Sequence, residues 1–224
     1  MKALRKDAEQ TRQSLLAAGR EIFAEKGYRD TTIADICERA SANLAAVNYH
    51  FGDKANLYSE SWRYAFLKSI KTYPPDGGVP GDAPPEERLR GQVSALLRRI
   101  SDRDNKEFFI ALKEFANPTG LLEQIILDEV NRLNKRTESV LRELLGAEAP
   151  ERDIQFFVIS IVSQCVNMIV AESSKESDRP NRFGFPKIED VEAYINHVVR
   201  LTLAGISSTR QMLAHGGSKV VRDE

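Results

Sequence analysis

The stretch Thr31–Tyr58, TTIADICERASANLAAVNYHFGDKANLY, decides how this chain is read. Thr31 and Thr32 offer an N-cap, and Asp35 stands three residues after Thr32, the spacing of a reciprocal cap. Ile33, Ile36, Cys37 and Ala40 then recur at helical spacing and make one inner face. Ser41-Ala42-Asn43 is a polar break before a third short helix near Leu44–Tyr49. Gly52 and Asp53 punctuate again, and Asp53 is a good cap for a fourth helix. Short helices separated by tight breaks are the outline of a helix-turn-helix. In that motif the second helix of the pair enters the major groove of DNA and the first crosses the backbone. Here those helices are Thr32–Ala40 and Leu44–Tyr49.

The residue types in the stretch suit that use. Tyr49, His50 and Lys54 lie at the end of the recognition helix and the start of the fourth, and each can donate to a phosphate oxygen. The Thr32 hydroxyl can do the same. The N-termini of the second and fourth helices present backbone N–H groups and positive dipole ends to anions. Asn48 and Asn43 carry amides that can read a base edge. Leu44, Ala45 and Ala46 are small or apolar, which suits close approach and contact with thymine methyls. Tyr49 and His50 also have a plain packing reading, since aromatics are usually structural; Lys54 and the two helix starts beside them favour phosphate.

Outward from this stretch the chain reads as helix almost throughout, without period-two strands. Leu15, Ala18, Ile22 and Phe23 form the stripe of a first helix that Gly27 closes. Before it, Lys2, Arg5, Lys6 and Arg12 make a basic N-terminus, either an arm on phosphates or a solvated tail. The fourth helix runs to about Lys71 and connects the two halves of the chain. Pro74, Pro75, Gly77, Gly78, Pro80, Gly81, Pro84 and Pro85 then make a loop. Further helices are expected over Glu86–Ser101, Asn105–Ala116, Thr119–Leu145, Asp153–Ser173 and Ile188–Ala214, with a loop over Ser177–Pro186 and a disordered tail over 215–224. The expected fold is all-α, with a DNA-binding domain over residues 1–53 and a helical ligand-binding and dimerisation domain over 54–214.

Composition sets limits. The 224 residues are 42% hydrophobic, enough for a buried core and far from the signature of disorder. The formal net charge of -1 counts against a strongly basic DNA-binding module, although a small reading head on an acidic domain can average to that value. Cys37 and Cys165 each sit in an apolar helical pattern and read as buried thiols of a reducing, cytoplasmic compartment. Ile154–Ala171 lacks charge, but its amides and hydroxyls suit a core or subunit interface and not a membrane. His50, His197 and His215 have no metal-ligand spacing, so neither metal nor cofactor is expected. No paired-carboxylate site, phosphate loop or nucleophile elbow is present, so no enzyme is expected.

The run Thr31-Thr32-Ile33-Ala34-Asp35-Ile36, then Ala40, then Asn48-Tyr49-His50-Phe51-Gly52-Asp53-Lys54 and Leu57-Tyr58 resembles the signature of the TetR family. The resemblance covers roughly residues 10 to 58. Asn-Leu-Ala-Ala-Val-Asn-Tyr-His-Phe-Gly is similar to the CecR-like subgroup, as are Asn117-Pro118-Thr119 and Ser163-Gln164-Cys165. The resemblance implies a homodimer through the last two helices, most often a repressor of a palindromic operator. It also implies a small molecule in the C-terminal domain that shifts the fourth helix and so the spacing of the reading heads. Carried over by position, Thr32, Tyr49, His50 and Lys54 bind phosphates, while Asn43, Leu44, Ala45, Ala46 and Asn48 face bases. Two departures stand out. Ser41 replaces the glycine usual in the turn, and Asn48 stands where many members have tyrosine.

For the small molecule, Ser160, Ser163, Gln164 and Asn167 fall on one stripe of an apolar helix. They either line a cavity or form an outer face. Trp62, Phe66, Phe108, Phe109 and Phe115 are candidate cavity walls, or plain core. Ala204, Gly205, Ser207 and Ser208 permit close helix approach, across a dimer or within a subunit. Against the repressor stand two alternatives, a helix-turn-helix used for protein interaction and an activator without ligand-induced release.

Overall fold

The computed structural model describes residues 2–173 and 188–214. The expected Ser177–Pro186 loop and the tail from 215 lie outside the described residues. Among these the chain forms nine helices and no strand: α1 Lys2–Asp30, α2 Ile33–Ala40, α3 Leu44–Phe51, α4 Lys54–Thr72, α5 Pro85–Ser101, α6 Glu107–Ala116, α7 Glu123–Leu145, α8 Glu151–Ser173 and α9 Val191–Ala214. No described helix is long and apolar enough to cross a membrane.

The described residues group into two compact units. One holds the chain up to Thr72 with Asp102–Glu129; the other holds Tyr73–Ser101 with the chain from Val130 on. In the first unit α1 is the central helix and packs on α2, α3, α4 and α6. Leu15, Phe23, Ile36, Val47 and Leu57 are buried from different helices and make its core. Phe23, Tyr28 and Tyr58 form an aromatic cluster, with Phe23 edge-on to Tyr58 at 4.7 Å and Tyr28 at 5.0 Å from Tyr58. The first unit reaches beyond the expected boundary at residue 53, because the apolar side of α4 (Leu57, Tyr58, Trp62, Ala65, Phe66) is buried within it.

In the second unit α5 packs on α8 and α9. Leu89, Val93 and Leu97 of α5 are buried, as are Val158, Ile161, Cys165 and Met168 of α8 and Ile195, Val198 and Ile206 of α9. Burial pushes the Cys165 thiol up to about 12, so it stays protonated and inert. Arg90 donates to Asn196 Oδ1 at 2.5 Å and to Glu192 at 2.7 Å, and Tyr194 donates to the Gln164 carbonyl at 2.9 Å.

Helix ends follow their caps. Thr32 Oγ1 accepts from Asp35 N–H at 3.1 Å and Asp35 Oδ2 accepts from Thr32 N–H at 3.0 Å, the reciprocal box expected from the spacing. Gly27 has φ 78° and ψ 178°, a conformation open to glycine, and kinks α1 where the first helix was expected to close. Three helices start later than their patterns suggest, α6 among them at Glu107 and not Asn105. α7 begins at Glu123, not Thr119, because Glu114 holds the amides of Thr119 and Gly120. α9 begins at Val191, not Ile188, because Asp190 Oδ1 accepts from Ala193 N–H at 2.9 Å and caps it.

Ser41 ends α2 in the left-handed region, at φ 50° and ψ 42°. Its Cβ makes that conformation costly by about 1–2 kcal/mol, part of which glycine returns as unfolded-state entropy. Replacing Ser41 with glycine is therefore expected to stabilise the protein by about 0.5–1 kcal/mol. Urea unfolding of both forms measures it. A destabilised variant would mean that the Ser41 side chain contributes more than its backbone strain costs.

Candidate nucleic-acid interface

The exposed face of α3 is built by what its other face must bury. Val47 is fully buried and Phe51 nearly so, and these two fix the helix against the core. The remaining positions are turned outward. Leu44 is 57% exposed and Tyr49 79%, values that no packing reading of either side chain explains. Ala45 and Asn48 are exposed beside them, while Ala46 and His50 are half-buried. The Tyr49 ring meets His50 edge-on at 4.9 Å. The packing alternative for Tyr49 therefore fails; His50, half-buried and 6.1 Å from the Phe51 ring, keeps part of it.

Asn43 is already committed in part. It is the N-cap of α3, and its Oδ1 accepts from Ala46 N–H at 2.9 Å. Only its NH2 group is left to donate. Asn48 carries no such local duty in the turn and is the better placed amide for a base edge. Thr32 is exposed and its oxygen accepts from Asp35 N–H, which leaves the hydroxyl proton to donate. The earliest amides of α2, those of Ile33 and Ala34, have no intrahelical acceptor, as at any helix start. At α4, Asp53 Oδ1 accepts from Asn56 N–H at 2.8 Å. A carboxylate at that N-terminus weakens its appeal to a phosphate, which the sequence reading did not weigh.

Lys54 is the other surprise. Its Nζ lies 4.3 Å from the centre of the Tyr28 ring, a cation–π contact. Desolvation there pushes its ammonium below the ordinary lysine value, and Asp30 opposes the shift. Several neighbouring cations are also paired. Lys26 meets Asp35 at 3.0 Å and Arg39 meets Glu25 at 3.2 Å, both at the surface. Arg12 meets Glu60 at 2.9 Å and lies over the Phe51 ring at 5.4 Å, so it braces α1 on α3 and α4 and is not part of a loose arm. The basic N-terminus is helical backbone from Lys2. Surface pairs of this kind hold by at most about 1 kcal/mol, so a phosphate can take over either cation.

Beneath the interface, Glu114 of α6 organises a polar cluster that the sequence reading missed. Its Oε1 accepts from Thr119 N–H at 2.9 Å, Thr119 Oγ1 at 2.8 Å and Gly120 N–H at 3.1 Å, and its Oε2 accepts from Tyr58 Oη at 3.1 Å. Glu114 and Tyr58 are both buried. Burial and then the neighbouring Glu114 raise the Tyr58 phenol well above its ordinary value, so the hydroxyl remains a donor. The only sequence signal was Asn117-Pro118-Thr119, and the Tyr58–Glu114 pairing spans 56 positions, which no spacing rule indicates.

The candidate effector residues fall in both units. In the first, Trp62 and Phe66 are buried and stacked at 5.3 Å, and Trp62 Nε1 donates to the Glu107 carbonyl at 3.2 Å. Phe108 and Phe109 are half-buried, and Phe115, 66% exposed, lines no enclosed space within its unit. In the second, Ser160 and Asn167 are exposed and Gln164 is half-buried, its amide donating to the Ser160 carbonyl at 3.1 Å. The stripe faces out of its unit.

An amphipathic α2, a tight left-handed turn and an α3 that buries two residues and presents the rest define a helix-turn-helix DNA-binding protein. The comparisons are specific. Residues 15–60 match the family model for bacterial regulatory proteins of the tetR family, and residues 85–206 match that for the C-terminal domain of the HTH-type transcriptional dual regulator CecR. The chain belongs to the TetR family of transcriptional regulators, with a C-terminal domain of the CecR type.

Relatives agree. The chain is 33% identical over 58 residues to the regulator AcrR of Shigella flexneri, a match that covers 26% of this chain and 27% of that protein. It is 26% identical over 137 residues to SrpR of Pseudomonas putida, covering 61% of this chain and 62% of that one. Those two matches thus span less than two-thirds of either relative. A third, to the probable acrEF/envCD operon repressor of Escherichia coli K12, runs over 220 residues at 24% identity and covers 93% and 94% of the two chains. Among solved structures, a TetR-like regulator from Rhodococcus sp. RHA1 superimposes with a TM-score of 0.67 at 18% identity, covering 88% of this chain and 96% of that one. AibR, solved with isovaleryl coenzyme A and operator DNA, gives 0.63 at 18%, covering 85% and 97%. At such identities the structures support the fold alone.

Proposed function

We propose that this regulator is a repressor that binds a palindromic operator as a homodimer and is released by a small molecule held in its C-terminal helical domain. The observation that carries the reading is the outward face of α3, with Leu44 and Tyr49 exposed beside Asn48. Exposing a leucine and a tyrosine on one short helix costs solvation with no return inside the chain, and a DNA major groove supplies the return. Thr32, Tyr49, His50 and Lys54 take phosphates in this reading, with Lys54 leaving Tyr28 to do so. Asn48, Leu44, Ala45, Ala46 and the amide of Asn43 face bases. Residues 1–53 form the reading head by role, and 54–214 receive the effector and the partner subunit.

The dimer reading rests on α8 and α9. Phe156 and Ile159 are 58% and 59% exposed on α8, and Leu201 and Met212 are 53% and 63% exposed on α9. Exposed Ala204, Ser207 and Ser208 lie among the latter, small enough for close helix approach. A dimer through these faces sets two recognition helices about one DNA turn, ~34–36 Å, apart. An effector that weakens operator binding 100-fold must favour the non-binding state by about 2.7 kcal/mol. Trp62, Phe66, Phe108 and Phe109, all of the first unit, remain the candidate walls of that site.

Titration of the full chain against DNA from upstream of its own gene, with unrelated DNA as control, tests the reading. Tight, salt-sensitive preference for the upstream DNA supports it. The C-terminal family is that of a dual regulator, which favours a second reading in which the same operator binding activates transcription. A reporter driven from the bound promoter separates the two by the sign of its response. Replacing Asn48 with alanine is expected to relax preference at one base of each half-site by about 1–3 kcal/mol. Selection from randomised operators reads this out, and an unchanged profile would remove Asn48 from base recognition.

A further inference from the structure

The second unit carries a cleft of about 390 Å³ that none of the candidate effector residues lines. The volume is within the range of small-molecule sites, about 300–1,000 Å³. Its walls are the connection after α4, one face of α5 and one face of α7.

The first wall is held in place by two glycines. A Cβ on Gly91 would meet the Asp76 carbonyl oxygen at 2.4 Å, and one on Gly77 would meet the Gly91 carbonyl oxygen at the same distance. The connection therefore lies with its backbone directly on α5, an approach no larger residue permits. Gly77 N–H donates to the Pro74 carbonyl at 2.8 Å, and Arg88 Nε ties the far end by donating to the Ala83 carbonyl at 3.0 Å. The wall is set before anything enters.

The opposite wall is cationic. Lys135, Arg136 and Ser139 are exposed on α7 and line the cleft. Arg88, also of the lining, pairs with Glu143, and Arg142 on α7 meets Glu138 at 3.6 Å and Glu151 at 2.7 Å. Lys135 and Arg136 make no ion pair among the described residues. Asp76 is the acidic residue of the lining, and its Oδ1 is taken up by Gly78 N–H at 2.8 Å. Gln92, from α5, adds a different demand. Its side-chain carbonyl oxygen is buried with no hydrogen-bond partner among the described residues. A buried acceptor in that state asks for a donor.

We infer that this cleft binds a small multiply charged anion, a phosphate ester or polycarboxylate, that also carries a hydroxyl or N–H group. Lys135 and Arg136 hold the charge, the Ser139 hydroxyl donates to the same anion, and the donor group of the ligand satisfies Gln92. Arginine offers the anion a planar pair of donors and lysine a point charge.

Calorimetric titration of the full chain in the absence of DNA tests this apart from any operator. The probes are glycerol 3-phosphate, which carries hydroxyl donors, and inorganic sulfate, a dianion with no proton to donate at neutral pH, with sodium chloride at matched ionic strength as control. Saturable binding of both probes is expected, one per chain, with affinity at least tenfold weaker in the Lys135→Ala/Arg136→Ala double variant and unchanged in Lys71→Ala. Both side chains are exposed, so the double variant keeps its fold, which circular dichroism checks. Gln92→Met is expected to weaken glycerol 3-phosphate and spare sulfate. Heats no larger than those of the salt control, or equal affinity in the double variant, would overturn the site. Equal loss of both probes in Gln92→Met would overturn the role given to Gln92.

Discussion

Replacing Tyr49 with phenylalanine is expected to weaken operator binding about 100-fold while leaving the preferred sequence unchanged. The side chain is 79% exposed at the end of the recognition helix, so deleting its hydroxyl removes no internal contact. A hydrogen bond to a charged group contributes roughly 1.5–3 kcal/mol. A dimer makes the contact twice, and about 3 kcal/mol corresponds to about two decades of affinity. Because phosphates carry no base identity, the loss must be the same on operator and on control DNA. The slope of affinity against salt should barely change, since a neutral hydroxyl releases no counterion. Anisotropy titrations at two salt concentrations measure all of this. A shift in base preference would move Tyr49 from the backbone to the groove, and unaltered affinity would remove it from the interface.

Replacing Glu114 with alanine is expected to destabilise the protein by about 3 kcal/mol. Four donors converge on this carboxyl: the Tyr58 hydroxyl, the Thr119 amide and hydroxyl, and the Gly120 amide. Each buried donor left without a partner costs about 1–3 kcal/mol, and those of Thr119 and Gly120 are near enough to solvent to recover part of it. Glu114→Gln keeps an acceptor oxygen and should recover most of the loss, whereas a purely volumetric role would predict recovery by methionine instead. Tyr58→Phe removes one donor and should cost about 1 kcal/mol. The cluster also has a pH signature. The Tyr58 phenol is raised by folding, so its contribution is full below the ordinary tyrosine value of about 10 and is lost as pH rises beyond it. Urea unfolding at neutral and strongly alkaline pH resolves both effects. If Glu114→Ala unfolds at the same urea concentration as the parent, the cluster is not a stabilising centre.

Glu114 also bears on function. Tyr58 follows the recognition helix by one turn of α4, and Thr119 opens the connection into α7. One carboxyl thus ties the start of α4 to the α6–α7 connection within the first unit. In the proposed mechanism a shift of α4 re-spaces the reading heads, and this tie is among the contacts such a shift must strain.

The sequence by itself determined what is local. The Thr32–Asp35 box, the helical face around Ile36 and the polar break at Ser41-Ala42-Asn43 all depend on residues within four positions of each other. Interactions at that range have fixed spacing, so they can be read directly along the chain. The tertiary structure decided the rest. It placed Lys54 over Tyr28, Arg12 between Glu60 and Phe51, and Tyr58 against Glu114, pairs separated by 26 to 56 positions. It turned the Ser160–Asn167 stripe outward from its unit and packed the Gly77 backbone onto Gly91 to wall a cleft. Such pairings leave no periodic trace, because they depend on which helix face meets which, and that is set by the summed burial of many apolar side chains and not by any neighbour in sequence.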